Sequence, residues 1–316
     1  MYATFLAKEV KQPVKETSKK FRIVDVLYIL MMILPLLAAM TIKVLTTPAS
    51  EGISITGARI LCTIPMPLQD LIISEAQVNS WLILITIFGF CLFITHGIKD
   101  DRRDWRQMAA EWMIEKLDGL LENSMEELFR ASYAPFIGTI LAISACSSLM
   151  SLFGVFPPTA DVNVIAGWSI LVFALITKNK LKAGFGNYAK GFLEPIPVML
   201  PMNILGEIAT PISMTFRHFG NVMSGTVIAT LIAWALQSLS AMVLGWLPGF
   251  LGDIPFLQVG LPAVLSVYFD VFSGCIQAYI FAMLTMLNVS GAYPAEAIAE
   301  RLAKCEAKKA KKAKVA

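Results

Sequence analysis

Apolar residues run along this chain in blocks, and the polar residues collect between the blocks instead of alternating with the apolar ones. Six blocks stand out, at about 23–42, 80–97, 132–156, 162–177, 199–244 and 262–290. A hydrocarbon core of roughly 30 Å is crossed by about 20 helical residues. In lipid the backbone groups must also be satisfied internally, which unbroken helices achieve. The pattern predicts an all-α integral membrane protein with about six membrane helices. The block 199–244 is anomalous, because as one helix it would extend about 69 Å, more than twice the core. It must tilt steeply or break near Pro201 or Pro211, and the last two helices are read as long and strongly tilted. Between the second and third blocks, Trp105, Met108, Trp112, Leu117, Leu121 and Leu128 recur roughly at helical spacing with Glu and Arg between them. That predicts an amphipathic helix lying along the membrane interface.

Charge gives the blocks a direction. Of the 26 Lys and Arg residues, 23 fall before the first block, in 98–131, in 178–198, or in the tail from Arg301 to Lys314. These are alternate connections, and the opposite ones hold Lys43 and Arg59 alone. The positive-inside rule then places both termini in the cytoplasm. The first block is too long for a signal-peptide core and is read as a retained helix, with "TTPAS" at 46–50 the one stretch resembling a cleavage site. The chain divides into a basic N-terminus (1–22), two N-terminal membrane helices with an external loop (23–97), the interfacial helix (98–131), a helical domain (132–290) and a polybasic tail (291–316).

Composition narrows the function. The 316 residues are 56% hydrophobic and 16% charged, against about 25% charged in soluble domains. The five cysteines are far apart and form no CxxC pair, and there are two histidines, His96 and His218. The cysteines are read as free thiols and the histidines as too few for a metal centre, with no metal site and no cofactor expected. No Walker loop and no nucleophile–base set is visible, and no nucleic-acid partner is expected.

One basic residue belongs to no connection. Arg217 lies well inside the fifth block, where a guanidinium costs about 3 kcal/mol on insertion scales and marks function by default. Thr210, Ser213, Arg217, Asn221 and Ser224 share one helical face, flanked by Gly220 and Gly225, which let a neighbouring helix approach. Glu207 lies on another flank, as a lining of an aqueous route or an interfacial carboxylate. His218 reads equally as a proton relay and as a helix-contact hydrogen bond. The sixth block carries Ser266, Asp270, Ser273 and Gln277 at α-helical spacing. Asp161 and Asn163, in "TADVN", are either a helix cap or the mouth of an outer channel. Ser144, Ser147, Ser148 and Ser151 form a further polar face of the kind that joins membrane helices. Two carboxylates with a permanent cation between them form a barrier with two entrances, which suits a mobile second subunit carrying an ion past the barrier.

At these residues the sequence resembles subunit a of the rotary F-type ATP synthase. "FRHFGN" followed by "SG" is similar to that family's R-L-F-G-N-x-x-A-G core. "IQAYIFAMLTML" (276–287) resembles its last helix, "PTADVN" its outer loop, and "NILGEIATPIS" its approach to the arginine. The likeness runs from about Pro135 to Leu287. It implies a non-catalytic stator subunit that faces a ring of c subunits and offers two half-channels for H+ or Na+. Arg217 would keep them apart, with Asn221 and Gln277 as its polar neighbours. Asp270, Asp161 and Asn163 would serve the outer half-channel, and Glu207 and Ser213 the inner one. It also implies peripheral-stalk b subunits, the rest of the ATP synthase complex, and a bacterial cytoplasmic membrane as setting. The chain departs from the family pattern at His218, Thr226, Asp270 and Ser148. A polytopic secondary transporter with an intramembrane Arg/Asp site is the alternative. It would be expected to carry an inverted repeat, and none is found. A membrane-embedded enzyme lacks a catalytic set.

Overall fold

The structure is a computed structural model that describes residues 23–46, 57–67, 70–96, 98, 105–193, 196–244 and 260–293. The basic N-terminus, most of the polybasic tail and Lys99, Arg102 and Arg103 lie outside the described residues.

The apolar blocks fold as helices α1 (Ile23–Thr46), α2 (Glu75–Thr95), α4 (Glu127–Met150), α5 (Val162–Ala183) and α7 (Leu200–Leu244). The sixth block is a continuous rod whose winding changes along its length: α8 (Leu261–Ser266), a π-helical stretch Val267–Ser273 and α9 (Gly274–Ser290). Six of these spans are long and apolar enough to cross a membrane, as the block pattern predicts. The amphipathic stretch forms α3 (Trp105–Ser124), and a short helix α6 (Phe185–Leu193) follows α5. Two strands, β1 (Ile60–Ile64) and β2 (Leu71–Ser74), pair antiparallel between α1 and α2. The block pattern missed this hairpin because it is short and most of its side chains are exposed.

Local chemistry sets the boundaries. Asp161 precedes α5 and its carboxylate accepts from the Asn163 amide at 2.9 Å, the N-cap arrangement that satisfies one orphan amide of a helix start. Gly184, at φ 129°, ends the same helix in a backbone conformation that side chains disfavour. Arg130 donates to the Met125 carbonyl at 3.1 Å and the Glu122 carbonyl at 3.3 Å, which closes the turn from α3 into α4. Pro211 does not break α7. A proline withholds one amide from the helix ladder, yet its own carbonyl still accepts from the Thr215 hydroxyl at 2.8 Å.

The core lies where α3, α4, α5, α7 and α9 meet, around Phe129, Ile137, Ile165, Val172, Met214 and Met286. A smaller cluster of Ala39, Ile83, Met150 and Val155 joins α1 and α2 to the end of α4. The interfacial helix is pinned at its start: Arg106 pairs with Asp25 of α1 at 2.6 Å and lies 4.0 Å over the Phe93 ring of α2. Trp105, Met108 and Trp112 of α3 remain exposed, whereas Leu121 is buried. The helix therefore packs by its C-terminal half and turns an aromatic face outward.

Two glycines set the closest helix approaches. A Cβ at Gly274 would stand 2.5 Å from the Ser148 Cβ, so α9 and α4 touch there backbone to side chain. A Cβ at Gly225 would meet the Phe269 ring carbons at 3.2 Å, where α7 lies on the π-helical stretch. Small residues at crossings are how membrane helices gain van der Waals contact without a hydrophobic driving force. Gly274→Ala is expected to cost about 1–3 kcal/mol through overpacking, and Ser148→Gly in the same chain to recover part of it. The check is the thermal unfolding midpoint of the purified protein. An unchanged midpoint in the single variant would mean that this crossing does not limit the packing.

Candidate functional site

The polar residues predicted on α7 separate into two groups once the helix is packed. Ser213, Arg217, Gly220 and Ser224 are exposed, whereas His218 is buried and Asn221 half-buried. Only 6% of the α7 span is buried, against 17–33% for the other five. Among the described residues this helix has neighbours on one side only, and Arg217 is on the open side. Several hydroxyls of α7 fold back on their own helix: Thr210 to the Gly206 carbonyl at 3.0 Å, Ser224 to Asn221 at 3.1 Å and Thr226 to Val222 at 3.0 Å. Such back-bonding satisfies a hydroxyl locally. Arg217 has no such recourse. Among the described residues it makes no hydrogen bond and no ion pair. Its five donors face out of the protein.

The inner face of α7 is bonded to the rest of the chain. The Asn221 amide donates to the Ser273 hydroxyl at 2.8 Å, and the same pair of side chains is joined again at 3.0 Å through the Asn221 oxygen. His218, 1% exposed, has its Nε2 3.2 Å from the Ser144 hydroxyl and its ring edge-on to Trp168 and Phe281. Of the two readings of His218 left open by the sequence, the helix contact is present.

Asp270 and Gln277 are half-buried on this rod, and among the described residues neither has a hydrogen-bond or ion-pair partner. The α-helical spacing of Ser266, Asp270, Ser273 and Gln277 does not hold along the whole rod. The π-helical winding of Val267–Ser273 closes i→i+5 bonds and advances less around the axis per residue, so Asp270 and Ser273 are re-aimed relative to a regular helix. Such π segments are frequent at functional sites. The sequence carried no signal for it; the nearest clue is the small residue Gly225, which admits the Phe269 side chain.

Glu207 faces away from Arg217 and pairs with Lys180 of α5. The pair lines a cavity of roughly 610 Å³ at the end of the protein where the basic connections lie, together with Tyr188, Asn203, Thr210 and Asn288. The Tyr188 hydroxyl titrates above its usual range, through burial first and the nearby Glu207 charge second. Lys180 is missing from the predicted site because it reads as one more charge of a basic connection. Its place at the last turn of α5, beside Lys182, gave no hint of a carboxylate partner 27 residues away. Asp161 is the cap of α5, Asn163 is exposed, and the buried Thr159 between them and α4 bonds Ser147 at 3.0 Å. The described residues hold no group of three or more His, Cys, Asp or Glu that fits a metal.

A polytopic α-helical membrane protein results, whose polar residues converge on both faces of a single arginine-bearing helix. The family model of the ATP synthase A chain matches residues 77–290, about two-thirds of the sequence, and the chain belongs to that family. It is 32% identical over 197 residues to a protein of Propionigenium modestum named as the sodium ion specific ATP synthase subunit a; the match covers 56% of this chain and 61% of that one. It is 27% identical to an ATP synthase subunit a of Crocosphaera subtropica, over 67% of this chain and 84% of that one. A Chlorobium luteolum subunit a is also 27% identical, over 68% and 87%.

The Lys180–Glu207 pair has both side chains mostly buried. Removing one partner strands the other charge, which costs 3–5 kcal/mol in a fully buried pair, and about 2 kcal/mol is expected here because both ends keep some solvent. Lys180→Met should lower the unfolding midpoint, and adding Glu207→Gln should restore most of it. A double variant as unstable as the single one would mean that the two charges are not coupled.

Proposed function

We propose that the chain is the ion-translocating stator subunit of an F-type ATP synthase, set against a ring of c subunits. The observation that carries this reading is Arg217, a permanent charge without a partner among the described residues, on the uncovered face of a membrane helix, in a chain of the ATP synthase A chain family. An arginine in that position is tolerable only if something polar or charged covers it. A ring carboxylate arriving opposite it would supply the missing charge: at 4 Å and an effective dielectric of 20 the attraction is about 4 kcal/mol. Arg217 would thus favour the ionised form of each ring site as it passes and stop an ion from crossing directly between the two entrances. Arginine suits the task because it does not shed its proton.

Two half-channels would feed this point from opposite sides. On the cytoplasmic side the cavity at Glu207 would be the entrance, with Ser213 nearer the arginine. On the other side Asp161 and Asn163 lie at the mouth, Asp270 deeper, with Gln277, Asn221 and His218 around the centre. The basic connections support a reading with both termini in the cytoplasm, and a bacterial inner membrane would hold the complex. The aromatic outward face of α3 suits the lipid interface, and peripheral-stalk b subunits and the catalytic subunits complete the assembly. Flux of H+ or Na+ through the two half-channels would then turn the ring and drive ATP synthesis.

Arg217→Ala should abolish ion-driven ATP synthesis, by ~100-fold or more, in a complex that still assembles; stranding a ring charge in a dry site is worth several kcal/mol. Membrane vesicles with near-normal synthesis would remove Arg217 from this role. Asp270→Asn should slow ion flux severalfold while leaving the amount of assembled complex unchanged. Undiminished flux in that variant would place the outer route elsewhere.

A further inference from the structure

Inside the chain, on the side of α7 opposite Arg217, a line of buried polar side chains runs along α4 to His218. The Thr159 and Ser147 hydroxyls are 3.0 Å apart, and the Thr159 amide also donates to Ser147 at 3.1 Å. One turn on, Ser148 donates to the Ser144 carbonyl at 3.2 Å, and the Ser144 hydroxyl is 3.2 Å from His218 Nε2. All five side chains are between 0% and 3% exposed. A run of serines on one helix face is ordinarily just a packing surface. What sets this one apart is its end point. Among the described residues His218 Nδ1 is buried and has no hydrogen-bond partner, and a buried polar nitrogen left unpaired calls for an explanation.

We infer that this column is the buried section of the outer half-channel and that it conducts protons only. The inference rests on the reading of the chain as an ion-translocating stator. A hydroxyl both accepts and donates, and neutral imidazole accepts at one nitrogen while donating from the other. A proton delivered to Nε2 through Ser144 makes the imidazolium, and release of the proton at Nδ1 returns the ring to neutrality with the opposite tautomer. Turning of the hydroxyl chain and re-exchange of the ring protons restore the starting state. No electron is moved and no bond other than N–H and O–H changes. Ser147 and Ser144 are three residues apart on one helix, roughly 5–6 Å between their β carbons, and the proposed route requires one water to bridge that gap. Beyond His218 the next polar group on α7 is Asn221, held to Ser273 of the rod, and Asn221 stands between the buried face and the open face that carries Arg217. A bare cation has no such path. It needs several oxygen ligands at each step to replace its hydration shell, and the column offers one or two hydroxyls at a time and no carboxylate.

The test is ATP-driven proton uptake into liposomes holding the complete ATP synthase with this chain as its subunit a. Ser144→Ala and His218→Leu should each lower uptake about tenfold or more, in line with loss of a proton-transfer group, in complexes that retain their full subunit set. Ser144→Thr, which keeps the hydroxyl, should pump close to the unaltered rate. Added imidazole should recover part of the uptake in His218→Ala, a gain that a packing role would not produce. Replacing Na+ by K+ should change nothing. Full uptake in both Ser144→Ala and His218→Leu, or uptake that requires Na+, overturns the column. If the His218 variants do not assemble, the contrast between Ser144→Ala and Ser144→Thr decides. Arg217→Ala separates the two failures. Full uptake there would defeat the stator reading itself, whereas loss there with full uptake in the column variants defeats the column alone.

Discussion

An uncompensated guanidinium in the apolar part of a helix bundle is the constraint on which the rest of this structure depends. Placing Arg217 there costs about 3 kcal/mol or more, and nothing in the described chain offsets it. The surrounding arrangement keeps it uncompensated. Thr210, Ser224 and Thr226 on its helix turn back to that helix's own carbonyls. Asn221, one turn away, is committed to Ser273. His218, the adjacent residue, is turned into the core against Ser144, Trp168 and Phe281. The arginine is held at the surface by a helix on which Thr210, Asn221, Ser224 and Thr226 are bonded elsewhere, which suits a charge reserved for something outside the chain.

The contrast with the other internal charges sharpens the point. Asp25 and Arg106 meet at 2.6 Å, and Lys180 meets Glu207; both pairs are at the end of the protein where the basic connections lie. There charges are neutralised within the chain, and they tie α1 to α3 and α5 to α7. Deeper in the spans, Arg217 and Asp270 have no partner among the described residues. Charges that serve the architecture are paired, because an isolated charge in low dielectric would cost more than any contact returns. Arg217 and Asp270 are both residues that the family reading uses.

Close approach makes the rest possible. Gly274 brings α9 against Ser148, and Gly225 brings the π-helical stretch against α7. Without these two contacts the rod could not come near enough for Ser273 to reach Asn221, and the serine face of α4 would not meet the helix that carries His218. Packing geometry and polar connectivity are in this sense one design. The same small residues that give the helices van der Waals contact also place hydroxyls within hydrogen-bond range.

Much of this was legible in the order of residues. Helix number follows from block length, since a bilayer sets the minimum run and the backbone must bond itself. The exceptional length of α7 and the solitary charge within it were visible for the same reason, as was the polar face of Ser213, Arg217 and Ser224, which needs nothing beyond a 3.6-residue period. The Asp161 cap was among the readings because it acts over two residues. The tertiary structure alone decided which neighbour each polar side chain meets. Lys180 finds Glu207 and Ser144 finds His218 across separations of 27 and 74 residues, and no local period encodes such pairs. It also decided that Pro211 leaves α7 unbroken and that the rod winds as a π-helix around Asp270. Both are settled by how neighbouring helices fill the space around them, and a linear pattern records the helix but not what is packed against it.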